Sequence, residues 1–130
     1  MTQKDKELLL KDLYARLLYG IKFKADNEEC IREIYYIKDE NVYIREYQNL
    51  PYWIESIKPY LRPMSNMIEE ERSNLRAYCK TQEGIIYDVG VSGAVNSPAI
   101  IDFLNTHHFD YRRLIEKGLA LEAPEGMYKF

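Results

Sequence analysis

The apolar period changes at Gly20, and that change does most to limit the fold. Before it, Leu10, Leu13, Tyr14 and Leu17 recur at three- and four-residue spacing, the mark of a helix with one apolar face. After it, Ile21, Phe23 and Ala25 alternate with Lys22 and Lys24, the period of a half-buried strand. A helix is therefore expected over residues 3–18, with Thr2 as its cap and Gly20 as its stop. Asp12 and Arg16 make a favourable i,i+4 pair on it.

The strand period continues. Asn27, Glu28 and Glu29 read as a turn, and the runs around Asp39–Asn41 are rich in β-branched and aromatic residues. Residues 21–25, 30–38 and 42–47 are expected to form a three-stranded antiparallel meander. On its last strand Val42 and Ile44 point one way and Tyr43, Arg45 and Tyr47 the other, so the second face is expected to be partly exposed. Pro51, Pro59 and Pro63 disfavour helix in the next segment and are expected to carry it, extended, across the outside. Trp53, Ile54 and Ile57 within it suit a short strand or a single turn.

Further on, Ser65 or Asn66 and the acids Glu69–Glu71 open a surface helix over 67–80. A strand over 85–89 and a loop from Gly90 to Gly93 follow. Ser97 and Pro98 start a helix over 98–107, and Asp110 caps a second over 111–117 that Gly118 ends. Residues from Leu119 onward dock as an edge strand or lie over the core. Strands that follow one another without helices between them argue for α+β. The expected fold is a small antiparallel sheet, the meander plus one or two strands, packed with an N-terminal helix, a middle surface helix and a C-terminal helix pair. At 130 residues the chain reads as one domain, long enough for a core without staples.

Composition narrows the function classes. The net charge of -3 argues against nucleic acid as the main partner, and no apolar run approaches a membrane span. The charged start MTQKDKELLL is not a secretory signal, so a reducing cytoplasm and two free thiols, Cys30 and Cys79, are expected. Adjacent His107 and His108 point about 100° apart on a helix and do not share one metal; both are expected to end the helix over 98–107 as caps for its last carbonyls. Ser92, Ser97, Asp88, Asp102 and His107 form no spacing that selects a catalytic set, so neither catalytic residues nor a cofactor is expected. The 12 tyrosines are in excess, and they serve either sheet packing or a contact face. The residues nominated for binding are Tyr43, Arg45, Tyr47, Arg62, His107, His108, Arg112 and Arg113.

KDLYARL near the start, KPYLRPMSNM before the acidic run, and LNTHHFDYRRLIEKGLALEAPEGMY near the end carry a resemblance. The chain resembles short uncharacterised proteins encoded by phages, prophages and mobile elements of gut anaerobes. The resemblance is thinner over residues 25–53 and 77–95. It implies a bacterial cytoplasmic setting and brings over no catalytic residues. Taken with the absence of a catalytic set, the excess of tyrosine and the Arg112–Arg113 cluster, that setting leads to the expectation of a non-enzymatic accessory binding protein, one that occludes a host defence protein or sequesters a nucleotide immune signal. An assembly module, self-associating or bound to a phage protein, and a small phosphoester-acting enzyme are the alternatives.

Overall fold

The computed structural model describes residues 1–75 and 98–128. Thr2 and Asp5 close a reciprocal cap: the Asp5 amide donates to Thr2 Oγ1 at 3.1 Å and the Thr2 amide to Asp5 Oδ2 at 3.2 Å. Helix α1, Gln3–Arg16, follows and tightens into a single 3-10 turn over Leu17–Tyr19. Gly20 then turns the chain with φ of 72°. A Cβ there would sit 3.2 Å from the end of the exposed, flexible Glu33 side chain, so glycine is needed for conformation more than for space. The buried stripe of α1 is shifted from the expected one: Leu13 is buried and Leu10 and Leu17 pack against the core as expected. Leu9, Asp12, Leu13 and Arg16 face inward and Tyr14 is exposed.

Among the described residues seven strands follow: β1 Lys22–Ala25, β2 Ile31–Glu33, β3 Tyr36–Lys38, β4 Asn41–Tyr43, β5 Tyr52–Trp53, β6 Ile57–Leu61 and β7 Leu121–Glu122. They form two sheets, β2-β1-β6-β7 and β3-β4-β5. The expected α+β class holds, but the single meander does not. The run 30–38 changes sheet at one peptide, where the Ile34 amide bonds back to Ile21 O at 3.0 Å and the Tyr35 amide forward to Tyr43 O at 2.8 Å. Buried Ile34 anchors that corner. The β3–β4 hairpin closes through Asp39 and Glu40, with φ of 52° and 63°. Positive φ at both positions matches the strand twist, though neither residue is the glycine or asparagine such turns favour.

The proline segment differs most from expectation. It does not cross the outside but supplies β6, which lies between β1 and β7 with a buried–intermediate alternation. Pro59 fits because of register. The Asp26 amide bonds Ser56 O at 2.8 Å, so bonded pairs along the ladder fall at Lys24–Lys58, and Phe23–Pro59 is a pair whose amides point away from each other. No rung to β1 is lost where proline lacks its donor. On the other side β7 runs parallel to β6 from Tyr60–Leu121.

Residues 69–75 are helical and belong to α2, which starts two residues later than the expected Met67; the part of the expected helix beyond residue 75 lies outside the described residues, as do the expected strand over 85–89 and the loop from Gly90 to Gly93. Helix α3 is Pro98–Thr106, with proline in its first turn as expected. The second member of the C-terminal pair is a series of turns. Asp110 does cap it, accepting from the Leu114 and Ile115 amides at 2.8 and 2.9 Å. Arg113, with φ of 60°, then breaks the helical path.

Two apolar clusters result. One joins α1 to both sheets through Leu9, Leu13, Phe23, Val42, Ile57 and Leu61. The other holds Met67, Leu75, Ile100, Phe103, Leu104 and Phe109 between α2 and α3.

Candidate functional site

Seven of the eight nominated residues fall into two groups on different parts of the molecule; Arg113 is exposed and joins neither. Arg62, His107, His108 and Arg112 belong to a polar layer between the two apolar clusters. Asp12 is its centre. Arg16 grips it with two bonds, Nε to Oδ2 at 2.9 Å and Nη2 to Oδ1 at 3.1 Å. Arg112 Nη1 adds a third at 2.6 Å, and Arg16 Nη2 also reaches Phe109 O at 2.5 Å. Asp12 and Arg16 are both wholly buried. Arg16 Nη1 is buried with no hydrogen-bond partner among the described residues.

Arg62 is engaged in the same way. Both of its terminal nitrogens donate to Glu71 at 2.8 Å, and its guanidinium lies 4.2 Å from the Phe109 ring centre. Burial alone would raise the Glu71 carboxyl; Arg62 and the Ile68 amide outweigh it and hold the group below its usual range. The backbone of Arg62 is also fixed: its amide donates to His108 O at 2.7 Å and its carbonyl accepts from Asp110 at 2.8 Å.

The two histidines part company. His107 caps α3 as expected, with Nδ1 2.9 Å from Phe103 O and its ring stacked on Phe103. His108 does not cap the helix. It is 2 % exposed, sits at φ 59°, places Nε2 2.9 Å from Tyr19 O and stacks on Tyr128 at 3.9 Å. Burial, and then the nearby Arg16 guanidinium, push its pKa down to about 4, against the opposing pull of the Tyr19 carbonyl. Arg112 and Arg113 are adjacent but diverge: Arg112 turns in to Asp12 while Arg113 is exposed. The paired arginine clamp for phosphate therefore does not assemble. This layer ties elements together rather than presenting groups to a ligand.

The second group stands on the outer face of β3–β4–β5. The register pairs Tyr36 with Tyr43 and Asn41 with Trp53, which puts all four on one side, while Val42 and Tyr52 face the core. Tyr36 and Tyr43 stack face to face, 4.5 Å apart and 3° from parallel. Tyr35 meets Tyr36 edge-on at 5.6 Å, and the Arg45 guanidinium lies 4.4 Å over Tyr35. Tyr47 and Trp53 are 53% and 64% exposed. The exposure of Arg45 and Tyr47 was visible in the sequence, but the strand expected over 42–47 ends at Tyr43 and Tyr47 lies in the turn that follows. Trp53, Tyr35 and Tyr36 were missed as partners, because their pairing depends on β5 and on the change of sheet at Ile34.

Beside the polar layer lies a cavity of about 690 Å³. Arg62, Asn66, Ile68, Glu122, Glu125 and Tyr128 are among the residues that line it. Among the described residues its only arginine is the one held by Glu71, so none of them offers an anion an unengaged cation there. Among the described residues no three of His, Cys, Asp and Glu gather as a metal site, and no helix is long and apolar enough to cross a membrane. The chain matches no protein-family model, no curated protein and no solved structure.

Proposed function

We propose that this chain is a non-enzymatic binding protein that grips another protein with the outer face of β3–β4–β5. The observation that carries this reading is the contiguous row of exposed Arg45, Tyr35 and Trp53 with half-buried Tyr36 and Tyr43, on a sheet fixed from behind by Val42 and Tyr52. Tyrosine, tryptophan and arginine dominate binding energy where proteins meet, because they bury large area and lose little freedom. The resemblance to phage-encoded proteins makes the expected partner a host protein in the bacterial cytoplasm, a component of antiviral defence among them. Sequestration of a nucleotide is the weaker version. Arg62 and Arg112 are committed to Glu71 and Asp12, and Tyr36 and Tyr43 use their rings on each other.

Affinity capture from a bacterial host tests the reading. Wild type should recover a partner that Tyr43→Ser/Trp53→Ser recovers at least about tenfold less, a loss of roughly 1.4 kcal/mol. Arg113→Ala should capture as wild type does. Retained capture by the double variant, with its melting temperature unchanged, would remove this face from the function.

A further inference from the structure

We propose that the outer face of β3–β4–β5 receives an extended, proline-containing peptide segment that carries an acidic residue. This rests on the reading of that face as the contact surface and names the chemistry of what it takes. Trp53 stands opposite Asn41, and Tyr43 is two residues along the same side of β4. Trp53 and Tyr43 are therefore diagonal neighbours, about 7–8 Å apart across the strands. Two van der Waals separations of about 3.5–4 Å fill such a gap with one more ring. A pyrrolidine ring has that thickness and needs no hydrogen-bond donor of its own.

The walls of the slot are set in advance. Tyr43 is held upright by its stack on Tyr36, and Tyr36 is anchored by its hydroxyl donating to Gln48 O at 3.0 Å. The Trp53 indole N–H and the Tyr43 hydroxyl have no acceptor among the described residues. Polyproline II segments offer what those donors lack, since all their carbonyls are unbonded. Such segments are already extended, so they lose little entropy on docking.

Charge selects further. Lys38 lies on this side of β3, and Arg45 continues the row from β4. Neither makes an ion pair among the described residues, whereas Glu40 at the hairpin tip turns to Lys6 at 3.8 Å. The face is cationic on a chain of net charge -3, which favours an acidic flank on the guest.

Trp53 is the single tryptophan, so its emission reports this slot alone. The probe is a heptaproline peptide flanked by aspartates, with an aspartate-flanked alanine peptide and a lysine-flanked heptaproline as controls. The expected result is a saturable blue shift and reduced iodide quenching, with a Kd of order 10–100 µM. Tyr43→Ala should weaken it at least about tenfold, and Lys38→Glu/Arg45→Glu should turn preference toward the lysine-flanked peptide. No saturable change below about 1 mM, or an equal change with the alanine peptide, overturns the proposal. Emission that shifts with protein concentration alone also overturns it, because a second copy then covers the slot. If the peptides fail while captured protein is still lost in Tyr43→Ser/Trp53→Ser, only the proline chemistry falls. If capture survives that variant, the contact surface falls as well.

Discussion

Asp12 shows how a single side chain can sit at a core position and still be satisfied. It accepts from Arg16 and Arg112 in a place that excludes water. Asp12→Ala leaves two arginines without their counter-charge, one of them wholly buried, and is expected to cost about 3–5 kcal/mol by urea denaturation. Replacing the pair together, as Asp12→Leu/Arg16→Met, should recover much of that loss. The i,i+4 spacing was legible, but the burial was not. It depends on Phe109 and Arg112, which only the folded chain brings to α1. His108 was misread as a cap for the same reason, since its partner Tyr19 lies far back in the chain. Its titration gives a second outcome. The folded value of about 4 lies below the ordinary 6.5, so the unfolded chain takes the proton first. The stabilisation is complete above pH 6.5 and drains away as pH falls toward 4, by about 3 kcal/mol at most. His107 and the guanidinium groups of Arg16 and Arg62 lie near enough to oppose the proton. The carboxyls held low, Glu28, Glu55 and Glu71, add their own losses only at the acid end of that window. His108→Gln should flatten melting temperature between pH 6.5 and 4; an unchanged slope would assign the acid loss elsewhere.

Among the elements, the ladder between β1 and β6 has an unusual last rung. Register would join Lys22 to Tyr60 directly. Instead the Lys22 amide donates to the Tyr128 hydroxyl at 2.9 Å, and that hydroxyl donates to Tyr60 O at 2.7 Å. Lys22 Nζ closes the loop on Met127 O at 3.2 Å. Tyr128→Phe strands two backbone groups and is expected to cost about 1–3 kcal/mol, with faster hydrogen exchange at the Lys22 amide. The β3–β4 turn offers the opposite sign. Asp39→Asn/Glu40→Gly relieves two residues at positive φ and should stabilise by about 1 kcal/mol, read as a rise in melting temperature. Periodicity revealed α1, α3 and the first strands because each carries its own apolar pattern. It did not reveal β6, whose prolines read as carrying an extended segment across the outside until the register shows Pro59 facing away from a donor position. It also missed the break at Arg113, where a local backbone choice overrides an acceptable helical sequence.

Over the whole molecule, Phe109 is fully buried in the second apolar cluster and borders the polar layer, where its carbonyl accepts from Arg16 and its ring faces the Arg62 guanidinium. Leu104→Ala should cost about 2–5 kcal/mol and speed hydrogen exchange first in α2 and α3, while Phe23→Ala should lower protection in both sheets. The parallel pairing of β7 with β6 bears on kinetics. The β3–β4 hairpin joins near neighbours and can close within microseconds. The Tyr128 rung must instead bring together groups 106 positions apart. Closing so wide a loop delivers nothing until both ends have arrived. Renaturation speed should therefore be governed by how soon this distant segment finds its berth, and a circularly permuted gene that puts residues 119–128 ahead of Thr2 should reach the native state sooner.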